Sequence, residues 1–309
     1  MEIHIRNLVK HYTNTRAVND ISFSFGSGQI FGFIGPNGAG KSTTMRIMAT
    51  LDEPTTGDVL IDGVSVVEYP EISRKKIGYV PDSLPEHSDI SVHEYLDFFA
   101  RAYGLKGDKR RRVVQEIEEF TNLMGIREKH INALSKGMKN RVSVARALVH
   151  DPPVLIMDEP ASGLDPRARI ELRELLKALA GQGKAILISS HILTELSEIC
   201  SGAVFIERGK LLRAGTLDKL LADNEPYRTL VIRPISGVAA LYKHLLLQPN
   251  VKGARLVEDH VEVNLEGNDQ HSADLLIALV KDGFRIIEFH SQKANLEKIF
   301  MTVTRGEVQ

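Results

Sequence analysis

The sequence predicts an α/β fold: a parallel-sheet core carrying a helical insert, followed by a small C-terminal α+β domain of ferredoxin-like topology. Three observations carry it. Uniformly apolar runs at Ile30–Ile34, Val154–Met157 and 185–189 have the composition of strands buried on both faces. Helical patterns dominate from about 83 to 150, and the signal changes again after Leu221.

The elements follow in order. Residues 18–25 alternate as a strand, and the turn at Gly26 and Gly28 leads into Ile30–Ile34. A helix is expected over 42–50, then a hairpin around a short strand at 59–61, punctuated by Pro54, Gly57 and Gly63. Within the insert, Ser91 and Glu94 have capping-box spacing before an aromatic-rich helix ending at Gly104. Val113, Ile117, Phe120 and Met124 are expected to mark one face of the next helix. The core resumes with Val154–Met157, a helix over 166–180 and the strand at 185–189. The segments 229–233, 237–247, 252–257, 260–265, 273–281 and 284–289 read as β-α-β-β-α-β, with a short helix through Phe300 after them. The expected domains are therefore 1–221, with the helical part at about 83–150, and 222–309.

Composition narrows the function. The 309 residues are 43% hydrophobic, enough for one large core and a smaller second one. Lys and Arg number 39 against 40 Asp and Glu, a net charge of -1, so no global field draws the chain to nucleic acid, and no nucleic-acid partner is expected. Lys109 to Arg112 form a local basic run that reads as the solvated start of a helix. The single cysteine, Cys200, suits a reducing compartment and reads as a small buried hydrophobe. The first residues lack the blocks of a secretory signal, and no apolar run reaches membrane-spanning length. At a membrane, the chain is expected to act through another.

The strongest motif is Gly35-Pro36-Asn37-Gly38-Ala39-Gly40-Lys41-Ser42-Thr43, which has the G-x-x-x-x-G-K-[ST] spacing between a strand and a helix. Its glycines let the N–H groups of Gly38, Ala39 and Gly40 turn toward phosphate oxygens, and the helix directs its positive end to the same place. Lys41 is expected to reach the β- and γ-phosphates, Ser42 to hold Mg²⁺, and Thr43 to add a phosphate contact. Asp158 and Glu159 end a buried strand, at the edge where α/β sheets place ligands. Asp158 is the expected Mg²⁺ partner and Glu159 the group that polarises the attacking water. His191, after the strand at 185–189, is placed to touch the γ-phosphate.

With Leu134-Ser135-Lys136-Gly137-Met138 the pattern becomes specific, because this stretch resembles the signature motif of ABC ATPases, usually written LSGGQ. Residues 1 to about 220 resemble that family in motif order: Tyr12 like its adenine-stacking aromatic, the phosphate loop, the signature, Asp158-Glu159, Ser162-Gly163-Leu164-Asp165 like the D-loop, and His191 like the switch histidine. The variant signature and the ending Leu296-Glu297-Lys298-Ile299-Phe300 look most like stand-alone ATPases of type-2 exporters. The resemblance implies a P-loop NTPase core that binds ATP and Mg²⁺. It also implies a second ATPase subunit whose Ser135 and Gly137 close over the first subunit's ATP, and a transmembrane permease subunit. The implied location is cytoplasmic, peripheral on the inner face of the cell membrane.

The sequence departs from the family at Asp82, where a glutamine normally follows the strand at Ile77–Val80. The shorter, charged side chain either meets Mg²⁺ through water or loses that contact, and Asp82 is expected to keep a weakened coupling role. Lys136 adds a cation to the signature, expected near the bridged phosphate. Two other classes compete. A soluble ABC ATPase acting on ribosomes or DNA would ordinarily carry two ATPase units or a long coiled-coil insert, and a P-loop kinase would lack Ser135 and Asp165 in these contexts.

Overall fold

The amino-terminal strands β1 (Glu2–Tyr12) and β2 (Thr15–Gly26) form an antiparallel hairpin in the computed structural model, which describes residues 1–83, 89–190, 196–222 and 227–291. After β3 (Ile30–Ile34) come α1 (Lys41–Met48), β4 (Thr56–Ile61) and β5 (Val64–Ser65). Strands β4 and β5 join the hairpin in a four-stranded sheet of order β2-β1-β4-β5. Then follow α2 (Pro70–Arg74), β6 (Ile77–Val80), α3 (Val92–Ala102), α4 (Gly107–Phe120) and α5 (Lys136–Leu148). The core returns with β7 (Val154–Met157), α6 (Pro166–Gly181), β8 (Ala185–Ser190), β9 (Gly202–Glu207) and β10 (Lys210–Thr216).

The second sheet has the order β10-β9-β3-β8-β7-β6, and all its pairings are parallel except β9 with β10. β3, β7 and β8 are buried at every position, as continuous apolar runs require in a sheet covered on both faces. Between the two sheets lies the main core. There Phe23 meets Phe33 with ring centroids 5.6 Å apart, Phe25 meets Phe31 at 5.8 Å, and Met45 and Met48 of α1 complete the packing. α1 is thereby fixed with its amino end at the carboxyl edge of β3.

The capping box at α3 forms in both directions: Ser91 Oγ accepts from the Glu94 N–H at 3.2 Å, and Glu94 Oε2 accepts from the Ser91 N–H at 2.8 Å. The expected face of α4 is corrected. Val114, Ile117 and Glu118 are buried, whereas Phe120 and Met124 are each 39% exposed. A carboxylate takes the place of an apolar side chain because Glu118 Oε1 meets His93 Nδ1 at 2.7 Å and Arg127 stands on its other oxygen, pairing the buried charge. The basic run starts α4 as expected, with Arg110 on Asp97 at 2.7 Å and Arg111 on Asp108.

The chain divides into two compact units, the second beginning at Asp218. That second unit contains β11 (Tyr227–Pro234), α7 (Val238–Leu245), β12 (Val251–Val257), β13 (His260–Glu266), α8 (Asp269–Lys281) and β14 (Ile286–Ser291). Its antiparallel sheet has the order β12-β13-β11-β14, the arrangement of a ferredoxin-like β-α-β-β-α-β unit. Leu230 and Ile232 on β11 and Val261, Val263 and Leu265 on β13 face Leu241, Leu245, Leu275 and Leu279 of the helices. The short helix expected through Phe300 lies outside the described residues.

Candidate active site

The loop between β3 and α1 needs its outer glycines for contact reasons. A Cβ at Gly35 would come within 2.2 Å of Ile206 O, and one at Gly40 within 2.3 Å of Ala17 O. Gly40 also has φ 101°, a left-handed conformation, and no side chain caps α1. The helix therefore presents amino-terminal N–H groups at the loop, the arrangement that binds phosphate. Not every expected donor turns inward, since the Ala39 N–H bonds Pro36 O at 3.2 Å.

Lys41 is 6% exposed, and its ammonium donates to Gly35 O at 2.7 Å and Pro36 O at 3.1 Å. Burial pushes its pKa down, while the carboxylates of Glu159 and Asp158 pull it back toward the charged form. The loop lysine and the two acids, far apart in sequence, thus share one electrostatic site. Ser42 is exposed and Thr43 half-buried in the first turn of α1.

The acids are set by the register of β7 on β8, in which Met157 pairs with Ile188. The next residues then meet across the strands. Ser189 Oγ donates to Asp158 Oδ1 at 2.7 Å and accepts from the Glu159 N–H at 2.8 Å. Glu159 has φ 49°, a left-handed backbone that a non-glycine residue adopts only when its surroundings hold it. Ser189 was not expected from the sequence. Its position in β8 was legible, but its role depends on which strand lies beside it.

Asp82 is exposed just beyond β6, and the half-buried Tyr79 within β6 feels the charges of both Asp158 and Asp82. Burial, with Asp158 the next cause, pushes the Tyr79 phenol up to about 12, so it stays neutral. Tyr79 O accepts from Arg146 of α5 at 2.6 Å, tying this strand to the helix that follows Ser135. The oxygen donors Ser42, Asp158 and Asp82 suit Mg²⁺, a hard cation that takes few protein ligands beside phosphate and water. His191 lies outside the described residues.

Ser135 and Gly137 lie at the start of α5. Ser135 is exposed and caps α5, accepting from the Met138 N–H at 3.3 Å. Among the described residues Gly137 has no contact that demands glycine: a Cβ there would lie 3.6 Å from Ala168 Cβ and 3.7 Å from Leu164, ordinary van der Waals distances. Lys136 lies over Gly163 of the same chain, where a Cβ would come within 2.9 Å of the lysine Nζ. Asn140 Nδ2 donates to Pro160 O at 2.6 Å, and Asp165 caps α6 through the Ala168 N–H at 2.9 Å. Tyr12 ends β1 and is 45% exposed.

Residues 18–162 match the family described as ABC transporter. The Nod factor export ATP-binding protein I of Burkholderia orbicola is 37% identical, over 99% of this chain and 98% of that protein. Among solved structures, an ATP-binding subunit of an ABC transporter superposes with a TM-score of 0.66 at 31% identity, covering 72% of this chain and 93% of the other. The ATP-binding cassette MJ0796, a dimer in a post-hydrolysis state bound to ADP and Pi, superposes at 0.64 with 27% identity, covering 70% and 98%.

Proposed function

The chain belongs to the ABC transporter ATP-binding proteins, and from that premise we propose that it powers export through a separate transmembrane permease subunit, as one of two ATPase subunits that close over shared nucleotides. ATP binding and hydrolysis are its activity. The observation that supports the site assignment is the convergence of Lys41 with Asp158 and Glu159, the two acids joined through Ser189.

In this reading residues 1–221 are the ATPase domain and 222–309 an accessory domain. The loop N–H groups and Lys41 hold the β- and γ-phosphates, and Ser42, Asp158 and a water-linked Asp82 hold Mg²⁺. The ion, when bound, neutralises phosphate charge. Glu159 orients a water and takes its proton as the terminal phosphate separates from ADP. His191 is assigned to the γ-phosphate as the family's switch histidine.

The signature residues act on the other subunit's nucleotide. Ser135 is exposed at a helix amino terminus, and among the described residues no close contact explains the bare backbone of Gly137. A helix start that presents a hydroxyl and an uncovered N–H suits an anion arriving from outside. ATP bound between two copies favours the closed pair, and hydrolysis removes that preference, so the cycle alternates two states. Among the described residues no helix is long and apolar enough to cross a membrane. The proposed place of work is the inner face of the cell membrane, docked on the permease.

Purification of tagged chain from solubilised membranes tests this reading. Recovery of a polytopic membrane protein in stoichiometric amount is expected. Recovery only with ribosomes or DNA contradicts it.

A further inference from the structure

Tyr12 is held by a polar cluster of its own. Its hydroxyl donates to Asp52 Oδ2 at 2.6 Å, and the other carboxylate oxygen, Oδ1, accepts from Lys10 Nζ at 2.7 Å. Lys10 is fixed again by Glu53 O at 2.6 Å, and its ammonium stands 5.0 Å from the centroid of the Tyr12 ring. One ring face is thus taken by the cation. Asp52 lies in the turn that follows α1, so the same helix has the phosphate loop at its start and the Tyr12 anchor beyond its end.

This cluster is more than a loose surface contact. The side chains of Lys10 and Asp52 are only 14% and 20% exposed. Burial alone would raise the Asp52 carboxyl, yet the bonds from Lys10 and Tyr12 hold it below the ordinary carboxylate value, so it is a charged acceptor at neutral pH. Half-exposed aromatic rings at a turn ordinarily sample several rotamers, and ordering one on binding costs affinity. A charge-assisted bond to the phenol removes that cost beforehand.

We propose that Asp52 is the positioning residue of the base end of the nucleotide site: anchored by Lys10, it fixes the Tyr12 ring so that the ring face away from Lys10 receives the nucleobase. The inference rests on the reading of Tyr12 as the base-stacking residue. It implies that Asp52 serves ligands carrying a base and is indifferent to bare polyphosphate, which meets only the loop and Lys41.

The test measures steady-state ATP turnover by the purified chain, with inorganic tripolyphosphate as a competing ligand, for Asp52→Ala, Asp52→Asn and Tyr12→Ala. Asp52→Ala is expected to raise KM for ATP about 5- to 20-fold, leaving kcat and tripolyphosphate inhibition within about two-fold. Asp52→Asn, which still accepts from the phenol, should bring KM back to within about three-fold of the parent. Tyr12→Ala should raise KM at least as much as Asp52→Ala. A raised KM in Tyr12→Ala beside an unchanged one in Asp52→Ala overturns the role of Asp52 and leaves base stacking standing. An unchanged Tyr12→Ala removes the stacking reading itself. Equal losses for ATP and tripolyphosphate, or an Asp52→Asn as impaired as Asp52→Ala, also overturn the proposal.

Discussion

The Ser189 hydroxyl donates to Asp158 Oδ1 at 2.7 Å, and Ser189 Oγ in turn accepts from the N–H of Glu159. One buried serine on β8 therefore sets both the carboxylate assigned to Mg²⁺ and the backbone of the residue assigned to the water. Removing it should disturb chemistry more than nucleotide binding, which the loop dominates.

Ser189→Ala is expected to lower kcat for ATP roughly 10- to 100-fold, because a hydrogen bond to a charged group contributes about 1.5–3 kcal/mol. KM should change less than about three-fold, and Ser189→Thr should recover most of the rate. Steady-state kinetics of the three proteins decide the point. A Ser189→Ala enzyme with parental kcat would show that the bridge is incidental.

Gly40→Ala should damage folding and binding together. Its added methyl would meet Ala17 O at 2.3 Å, and the backbone at φ 101° disfavours any Cβ by roughly 1–2 kcal/mol before that clash. The expected outcome is a melting temperature lower by at least about 5 °C and ATP affinity reduced more than about ten-fold. Calorimetry and a binding titration measure the two.

Gly137→Ala should separate them instead. The methyl finds ordinary contacts with Ala168 and Leu164, and alanine favours the helix by up to about 1 kcal/mol, so thermal stability should be kept or slightly raised. Turnover should fall more than about ten-fold, because the methyl intrudes where the other subunit's phosphate is proposed to approach. Parental turnover in a stable Gly137→Ala protein would place the shared site elsewhere.

Cys200 should resist thiol reagents in the native protein. It is 6% exposed, and burial pushes its thiol far above the ordinary range, so the reactive thiolate stays scarce even when pH is raised to about 9. An absorbance assay with an aromatic disulfide should show no fast reaction until denaturant is added. Rapid native labelling contradicts the buried environment.

What the sequence discloses depends on how local the cause is. The phosphate loop is legible because strand, glycines, lysine and helix are contiguous. So is the capping box at Ser91. β1 is not, because Asn7, at φ 44°, breaks the alternation after Ile5 and leaves Leu8 and Val9 both buried. β9 is buried throughout, but its pairing with β3 joins segments about 170 residues apart, and no local signal announces it. The same limit hides Ser189 and Asp52. Each is an ordinary residue until folding brings β8 beside β7, or the turn after α1 beside the end of β1. Glu118 shows the opposite failure, in which a charged residue on a helix reads as solvent-facing until His93 and Arg127 are seen to pair it.

The central claim is that Glu159 drives hydrolysis in a site completed by a second copy, and Glu159→Gln tests it most directly. The substitution keeps the shape of the side chain and removes the base. Analytical ultracentrifugation with Mg²⁺ and ATP, alongside phosphate release, is predicted to show a stable dimer holding two ATP molecules with turnover reduced more than about 100-fold. A protein that binds ATP yet stays monomeric, or releases phosphate at the parental rate, would contradict the account.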